Sequence, residues 1–124
     1  MIKSKYISDV LELLLDGDDE RKAAKSQIPF LSDTEYKYAS GGGVFVNFSH
    51  SAEIFVYWIT QDNLILNGVT INSPELISGA DATVYLTNGI IDYLEIWSFD
   101  GSYSDHALTS YVLKQTWQNS PEEC

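Results

Sequence analysis

The segment of residues 80–100, ADATVYLTNGIIDYLEIWSFD, constrains the fold of this chain more than any other part of the sequence. Its two halves are rich in β-branched and aromatic residues and are typical of β-strands. Asn88-Gly89 between them is a favoured pair for a tight turn. Gly79 precedes the segment and Gly101 follows it, so turn-forming residues mark both ends. The sequence therefore predicts an antiparallel hairpin.

Two registers of this hairpin differ in the side on which Glu95 lies. A two-residue loop at Asn88-Gly89 would place Glu95 among the aliphatic side chains of the first strand. An unpaired buried carboxylate is far more costly than the differences in strand propensity among residues. A three-residue loop, Thr87-Asn88-Gly89, shifts the pairing by one residue and moves the second strand's side chains to the opposite faces. We therefore predict the three-residue loop.

This register gives the hairpin two different faces. The face towards the core is expected to carry Val84, Leu86, Ile90, Leu94 and Ile96. The opposite face is expected to carry Tyr85, Ile91, Tyr93, Glu95, Trp97 and Phe99. This second face combines aromatic rings with a carboxylate, and it either meets the helices or meets a partner.

The length and composition predict one ordinary globular domain. A chain of 124 residues is long enough to bury a core without metal or disulfide staples, so we expect a single domain over residues 1–124. The single cysteine, Cys124, cannot form an internal disulfide. No apolar run reaches the roughly 18 residues of a membrane span, and no small-residue cleavage site follows the first apolar segment. These features predict a cytoplasmic protein.

The charge is unevenly distributed along the chain. The formal net charge is −11, and residues 39–124 hold ten acidic residues but only one basic residue, Lys114. Such a field repels nucleic acids and anionic membranes and speeds association with a basic protein. We therefore expect a protein partner, with neither nucleic acid nor membrane as a partner. Solubility alone is the alternative explanation of the acidic composition.

The N-terminal part of the chain is predicted to be helical. Apolar residues spaced by three and four predict a helix over residues 3–16, which ends at Asp16-Gly17. Asp18 is a favourable N-cap for a second short helix that ends before Pro29. The resulting helical hairpin, residues 3–28, is expected to cover one face or one edge of a sheet.

The remainder is predicted to form an antiparallel sheet over residues 35–118. Strands are expected near residues 36–38, 44–48, 53–60, 64–71, 80–87, 90–99 and 111–117, followed by a frayed tail at 119–124. Residues 53–60, EIFVYWIT, are apolar enough for a strand buried on both faces. Asn67-Gly68 is either a tight hairpin or a kink between two short strands. The fold class is α+β, with two N-terminal helices packed on an antiparallel meander of about five to seven strands.

The sequence carries no recognisable motif for catalysis, metal binding or a cofactor. His50 and His106 lie outside any triad or metal-ligand pattern, and the glycine triplet at residues 41–43 lacks the GK[ST] of a phosphate-binding loop. Asp92 and Glu95 are three residues apart in one strand, which separates them onto opposite faces and disfavours a glycosidase pair. We therefore expect a protein that is not an enzyme and has neither a metal nor a cofactor.

Five segments carry a resemblance to a known family. They are LLLDGDD, QIPFL, GGGVFVNF, GADATVYLTNGIIDYLEIWSFDG and YVLKQTW with the following NSP. Together they cover nearly the whole chain and resemble a family of small, stand-alone, uncharacterised bacterial proteins. That family is similar to the immunity proteins encoded beside polymorphic or contact-dependent toxins. The resemblance implies a protein that neutralises a cognate toxin by binding its basic surface.

The aromatic face of the hairpin is the expected binding site for such a toxin domain. Aromatic rings beside carboxylates are typical of a hot spot for a basic protein. The expected partner-binding residues are Tyr93, Glu95, Trp97, Asp92 and Asp100. Three alternatives remain open: a small-molecule or peptide binding domain with an aromatic pocket between sheet and helices, an enzyme of unrecognised type, and a homodimer through the same face. We expect a monomer or a weak homodimer.

Overall fold

The computed structural model describes residues 1–39, 42–60, 63–103 and 106–116. Within them the chain forms helices α1 (Lys5–Leu14) and α2 (Asp19–Lys25) and two 3₁₀-helices, Ile28–Phe30 and Ala52–Tyr57. The strands are β1 (Leu31–Ala39), β2 (Gly43–His50), β3 (Asn63–Asn72), β4 (Ala80–Thr87), β5 (Ile90–Ser98) and β6 (Val112–Gln115). The predicted α+β class, with two N-terminal helices and an antiparallel sheet, is confirmed.

The six strands form one sheet in the order β1-β2-β5-β4-β3-β6, and all neighbours are antiparallel. Strands β1 and β2 form one hairpin, and β3, β4 and β5 follow one another as a meander. Strand β5 joins β2, and β6 pairs with the free side of β3. Strands β1 and β6 are therefore the two edges of the sheet.

Helix α1 covers one face of this sheet. Ser4 caps the helix, because its hydroxyl oxygen accepts a hydrogen bond from the Ile7 N–H at 3.2 Å. The buried residues of α1 are Tyr6, Ile7, Val10, Leu11 and Leu14, and the helix packs against β3, β4 and β6. Their spacing of three and four residues forms an apolar stripe, which is why this segment is a helix lying on the sheet.

Helix α2 begins at the predicted cap. The Asp18 carboxylate accepts a hydrogen bond from the Arg21 N–H at 3.0 Å. The Arg21 guanidinium donates to the carbonyl oxygens of Leu14, at 2.7 Å, and of Asn67, at 3.1 Å. This side chain therefore links the end of α1 to β3.

The core lies between α1 and the inward face of the sheet. Its inward strand residues are Val44, Val46, Phe48, Leu66, Val69, Ile71, Ala80, Ala82, Val84, Leu86, Ile91, Leu94 and Ile96, all of them buried. They alternate with exposed or half-exposed residues along most of each strand. This alternation is the pattern of a sheet with only one face packed.

The hairpin of β4 and β5 has a different turn from the one predicted. Thr87 is opposite Ile90, so the loop has two residues, Asn88 and Gly89, with φ values of 54° and 80°. The predicted three-residue loop is wrong. The register instead shifts by one residue further along β5: Leu86 is opposite Ile91 and Tyr85 is opposite Tyr93, so Asp92 is the extra residue of a β-bulge.

The bulge keeps Glu95 out of the core, as predicted, but it changes the position of Ile91. Ile91 lies opposite Leu86 and is buried, whereas the predicted register placed it on the aromatic face. The extra residue allows the tight turn and the aliphatic core face to occur together.

Residues 53–60 do not form the predicted buried strand. They form a 3₁₀-helix and an extended connection in which Ile54 and Ile59 are buried. Strands β2 and β3 are second and fifth in the sheet, so the connection between them must cross the ends of β5 and β4. The Ile59 N–H donates to the Gly89 carbonyl oxygen at 3.1 Å, which holds the connection over the hairpin turn. This topology excludes residues 53–60 from the sheet.

The other predicted elements differ mainly in their bounds. Strand β3 is continuous through Gly68, where the register shifts and φ is 114°, so Asn67-Gly68 is a kink within one strand and not a tight hairpin. Strand β1 begins at Leu31, earlier than expected. The end of the last strand at Trp117, the predicted tail at 119–124 and Cys124 lie outside the described residues.

Candidate functional site

The face of the sheet opposite α1, which we call the outer face, carries the aromatic residues of the hairpin. The register places Tyr85 opposite Tyr93, and Glu95 between Phe45 on β2 and Thr83 on β4. In the part of the chain that the structure describes, these side chains are half-exposed, and no helix packs over them. The outer face is therefore a surface and not part of the core.

Four rings form an aromatic strip across three strands of the outer face: Phe45, Tyr85, Tyr93 and Trp97. Tyr85 and Tyr93 stack with centroids 4.5 Å apart and planes inclined by 12°. The centroid of the Phe45 ring lies 6.5 Å from that of Tyr93 and 6.1 Å from that of Trp97, and both pairs of rings are tilted. These separations are in the favourable range for aromatic pairs. The strip is thus an ordered surface in which each ring is positioned by a neighbour.

The glycines at the start of β2 provide the space for Trp97. A Cβ atom at Gly42 would lie 2.5 Å from Cζ2 of the Trp97 indole, and one at Gly43 would lie 2.0 Å from the Ile96 carbonyl oxygen. The glycine triplet therefore has a steric explanation at two of its positions. The Trp97 ring lies over backbone that carries no side chain, and 41% of the residue remains exposed.

The centre of the outer face is acidic. The Tyr85 hydroxyl donates to Oε1 of Glu95 at 2.8 Å, and this hydrogen bond, together with burial, raises the pKa of Tyr85 to about 12. Burial, together with the nearby charge of Glu95, raises the pKa of Asp81, which lies on β4 opposite Trp97. Lys37 and Lys114 lie on the two outermost strands of the same face. The carboxylates are therefore central and the lysines are peripheral.

The structure brings together three of the five predicted site residues. Tyr93, Glu95 and Trp97 alternate along β5 on the outer face. Asp92 is the bulge residue near the turn and accepts a hydrogen bond from Thr87 Oγ1 at 2.9 Å. Asp100 lies beyond the other end of β5 and accepts a hydrogen bond from the Ser102 N–H at 3.0 Å. These two carboxylates thus bond within the turns at opposite ends of the hairpin.

Sequence reasoning missed two groups of exposed residues. On the outer face it missed Phe45 and Asp81, which only the pairing of β2 and β4 with β5 places beside Trp97. It also missed an exposed aromatic loop at residues 55–58. This loop consists of Phe55, Val56, Tyr57 and Trp58, with exposed fractions of 54%, 80%, 42% and 55%. Their apolar run predicts a core strand, because periodicity does not distinguish a short buried strand from a crossing connection.

The fully buried Gln27 holds the aromatic loop in place. Its Nε2 atom donates to the carbonyl oxygens of Tyr57, at 3.0 Å, and of Gly89, at 2.9 Å. Its Oε1 atom accepts a hydrogen bond from the Ile91 N–H at 2.8 Å. One side chain thus joins the helical region, the aromatic loop and the hairpin turn. The ring of Phe30 also stacks on Tyr57, with centroids 5.4 Å apart.

No group of three or more metal-ligating side chains occurs within the described ranges. His106 contacts Glu75 at 3.4 Å, and the His50 ring meets Phe55 edge-on.

A groove of about 480 Å³ lies beside β6 and is lined by residues 72–74, 76–79 and 110–112, with Tyr111 as the one aromatic residue in its lining. None of the helices in the described ranges has the length and apolar character to span a bilayer.

Comparison with other proteins adds no information on function. Searches against protein-family models, curated proteins and solved structures found no match to this chain. The functional interpretation therefore rests on the geometry of the outer face and on the resemblance described above.

Proposed function

We propose that this protein is a non-enzymatic binding protein whose outer face covers a basic surface of a protein partner. The observation that carries this proposal is the aromatic strip around Glu95 and Asp81 on a sheet face that no described helix covers. The resemblance to immunity proteins suggests that the partner is a toxin domain, neutralised in the cytoplasm. Occlusion of the toxin's basic surface is the expected mode of action.

The shape of the site favours a protein partner over a small molecule. The aromatic strip extends over three strands of a sheet face and is not a cavity, and flat aromatic surfaces of this kind are typical of protein interfaces. The alternative, a small molecule or peptide held in an aromatic pocket, has less support. The groove of about 480 Å³ contains one aromatic residue and lies away from the strip.

The residues of the strip have different expected roles. Trp97 is the expected anchor, because it is a large ring that remains exposed while its position is fixed by Phe45 and by the adjacent glycine backbone. Glu95 is expected to pair with a lysine or arginine of the partner. The hydrogen bond from the Tyr85 hydroxyl orients this carboxylate before binding, which lowers the entropic cost of forming the ion pair.

The test begins with identification of the partner. The wild-type protein is used as bait in an extract of its native host, and a toxin encoded beside it is co-expressed to measure rescue of growth. The proposal predicts recovery of a basic protein and rescue by the wild type. Failure to recover a basic protein, together with failure to rescue, would contradict it.

Variants then test the outer face against a matched control. Trp97→Ala is expected to weaken binding by roughly thirtyfold or more, the loss typical of an aromatic hot spot. Glu95→Gln keeps an oxygen that can accept from Tyr85 but removes the charge, so it should weaken binding and reduce its dependence on salt. Trp58→Ala makes the same truncation in the aromatic loop. Loss of binding in Trp58→Ala with normal binding in Trp97→Ala would place the interface elsewhere and refute the proposal.

A further inference from the structure

A recess of about 300 Å³ lies beside the aromatic strip. It is lined by residues 67–70 of β3, by Asp81 of β4, and by Phe99 and Thr116, which follow β5 and β6. We call it the Asp81 recess, because Asp81 is the one ionisable residue among the described residues that line it. Asp81 is opposite Trp97 on β5, so the recess adjoins the strip.

The recess is complementary in charge to a cationic group. Within the described ranges, no lysine, arginine or histidine forms an ion pair with Asp81 or with Glu95. Burial, together with the negative charge of Glu95, disfavours the ionised carboxylate of Asp81 and raises its pKa. A cation beside this carboxylate would offset both effects, because an opposite charge favours the ionised form.

One wall of the recess is the aromatic ring of Phe99. The residue is 58% exposed, and its N–H donates to the Gly79 carbonyl oxygen at 3.0 Å. A Cβ atom at Gly79 would lie 3.7 Å from Cδ2 of the Phe99 ring, so the ring lies close to backbone that carries no side chain. The recess therefore combines an exposed aromatic ring with a carboxylate.

The backbone acceptors at the β3 side of the recess are already used within the fold. The Gly68 carbonyl oxygen accepts from the Thr116 N–H at 2.7 Å and from Thr116 Oγ1 at 3.0 Å. The Asn67 carbonyl oxygen accepts from the Arg21 guanidinium at 3.1 Å. Hydrogen bonds to a charged acceptor are stronger than those to a neutral one. The Asp81 carboxylate is therefore the acceptor that best suits a donor entering the recess.

We propose that the Asp81 recess binds the guanidinium of an arginine side chain on the basic protein partner, between the carboxylate of Asp81 and the ring of Phe99. This inference rests on the proposed function and names the group that the outer face recognises. Arginine fits the recess better than lysine does. The guanidinium is planar and weakly hydrated, stacks on aromatic faces and pairs with a carboxylate through two hydrogen bonds, whereas the ammonium of lysine is a strongly hydrated point charge.

The test uses a small probe in place of the partner. N-acetylargininamide is titrated into the full chain, and NMR spectra follow the backbone amides of Thr70, Asp81 and Phe99. These amides are expected to show saturable shifts with a dissociation constant in the millimolar range. The lysine analogue should bind at least about threefold more weakly. The citrulline analogue, in which a neutral urea replaces the guanidinium, should cause no saturable shift.

Variants of the two walls identify the groups that bind the probe. Asp81→Asn should raise the dissociation constant at least about tenfold, and Phe99→Leu, which keeps an apolar side chain but removes the ring, about threefold. Asp81→Asn is expected to fold, because it removes a charge that burial and Glu95 disfavour. Glu53→Gln is the matched control. It removes one exposed carboxylate from the 3₁₀-helix at residues 52–57 and should leave the dissociation constant unchanged.

Four results would overturn the assignment of the recess: no saturable shift at these amides, equal binding of the three probes, unchanged binding in Asp81→Asn, or an equal loss in Glu53→Gln. The probe experiment is independent of the partner, so the two proposals can fail separately. A basic partner that binds through Trp97 while the probe does not bind would refute only the recess. Probe binding without recovery of a basic partner would support the recess and count against the proposed function.

Discussion

Gln27 is the residue whose replacement best tests the packing described above. Its side chain is fully buried and makes three hydrogen bonds, to the carbonyl oxygens of Tyr57 and Gly89 and from the Ile91 N–H. Gln27→Leu retains a side chain of similar size but removes all three bonds. The Gly89 oxygen keeps a second donor, the Ile59 N–H at 3.1 Å. Two backbone groups lose the bond that Gln27 provides: the Ile91 N–H, which is buried, and the Tyr57 oxygen, which is part-buried.

The expected loss of stability follows from these two groups. A buried polar group left without a partner costs about 1 to 3 kcal/mol. The buried Ile91 N–H bears this cost in full and the part-buried Tyr57 oxygen bears a smaller one, so the free energy of unfolding should fall by roughly 2 to 5 kcal/mol. Burial of the leucine side chain offsets part of this, and we expect a loss of about 3 kcal/mol. Such a loss is a large fraction of the roughly 5 to 15 kcal/mol that stabilises a typical domain.

The measurement is urea unfolding followed by tryptophan fluorescence, in which Trp58 reports on the aromatic loop that Gln27 holds. Gln27→Leu should lower the midpoint concentration of urea with little change in the slope of the transition. A loss below about 1 kcal/mol would show that water or a local rearrangement satisfies both groups, and would refute the reasoning.

Gln27→Glu separates hydrogen bonding from packing. The glutamate retains an acceptor for the Ile91 N–H, but when ionised it has no hydrogen to donate to the carbonyl oxygens of Tyr57 and Gly89. Burial and these oxygens favour the protonated form, so the pKa in the folded state lies above the unfolded value. The stability of the variant should therefore be closest to that of wild type when the pH is below the pKa of the unfolded state. Its stability relative to wild type should fall as the pH rises through the pKa of the folded state. A difference in stability between Gln27→Glu and wild type that does not change with pH would contradict the hydrogen bonds assigned to Gln27.

Two further predictions test the outer face. Gly43→Ala places a Cβ atom 2.0 Å from the Ile96 carbonyl oxygen, so β2 and β5 must separate. Thermal unfolding should show that the free energy of unfolding falls by roughly 2 kcal/mol or more. A stability equal to that of wild type would contradict the close approach of these strands. Asp81→Asn should raise the melting temperature at pH 7, because burial and Glu95 disfavour the ionised carboxyl group and raise its pKa. The gain in melting temperature should decrease as the pH falls through the raised pKa of the folded state and should vanish below the pKa of the unfolded state. A gain that persists in acid would exclude the ionisation of Asp81 as its cause.

The fold was predictable where a feature depends only on residues close together in the sequence. The apolar stripe of α1, the Asp18 cap of α2 and the position of the hairpin turn around Asn88-Gly89 depend on neighbouring residues, and the structure contains all three, although the turn has two residues and not the predicted three. The crossing connection at residues 53–60 was not predictable, because its position depends on the order of strands in the sheet. An apolar segment of that length satisfies the criteria for a buried strand until the topology is known.

The candidate site was predictable only in part, for a related reason. Alternation along β5 placed Tyr93, Glu95 and Trp97 on one face, and the structure agrees. Phe45 and Asp81 belong to other strands, and only the pairing of those strands with β5 brings them beside Trp97. Charge and proximity in the sequence predict that Asp92 and Asp100 belong to the same site. Turn geometry determines their actual positions, at opposite ends of the hairpin.

The bulge at Asp92 explains how one strand serves both the core and the outer face. Without the extra residue, the two-residue turn would direct Glu95 and Trp97 towards α1, and Leu94 and Ile96 towards the outer face. The carboxylate would then enter the core, and the aliphatic side chains would be exposed. The single extra residue reverses this assignment over the rest of β5 and leaves the Asn88-Gly89 turn intact. The position of Asp92 in the backbone therefore matters for the aromatic strip even though its carboxylate bonds to Thr87, outside the strip.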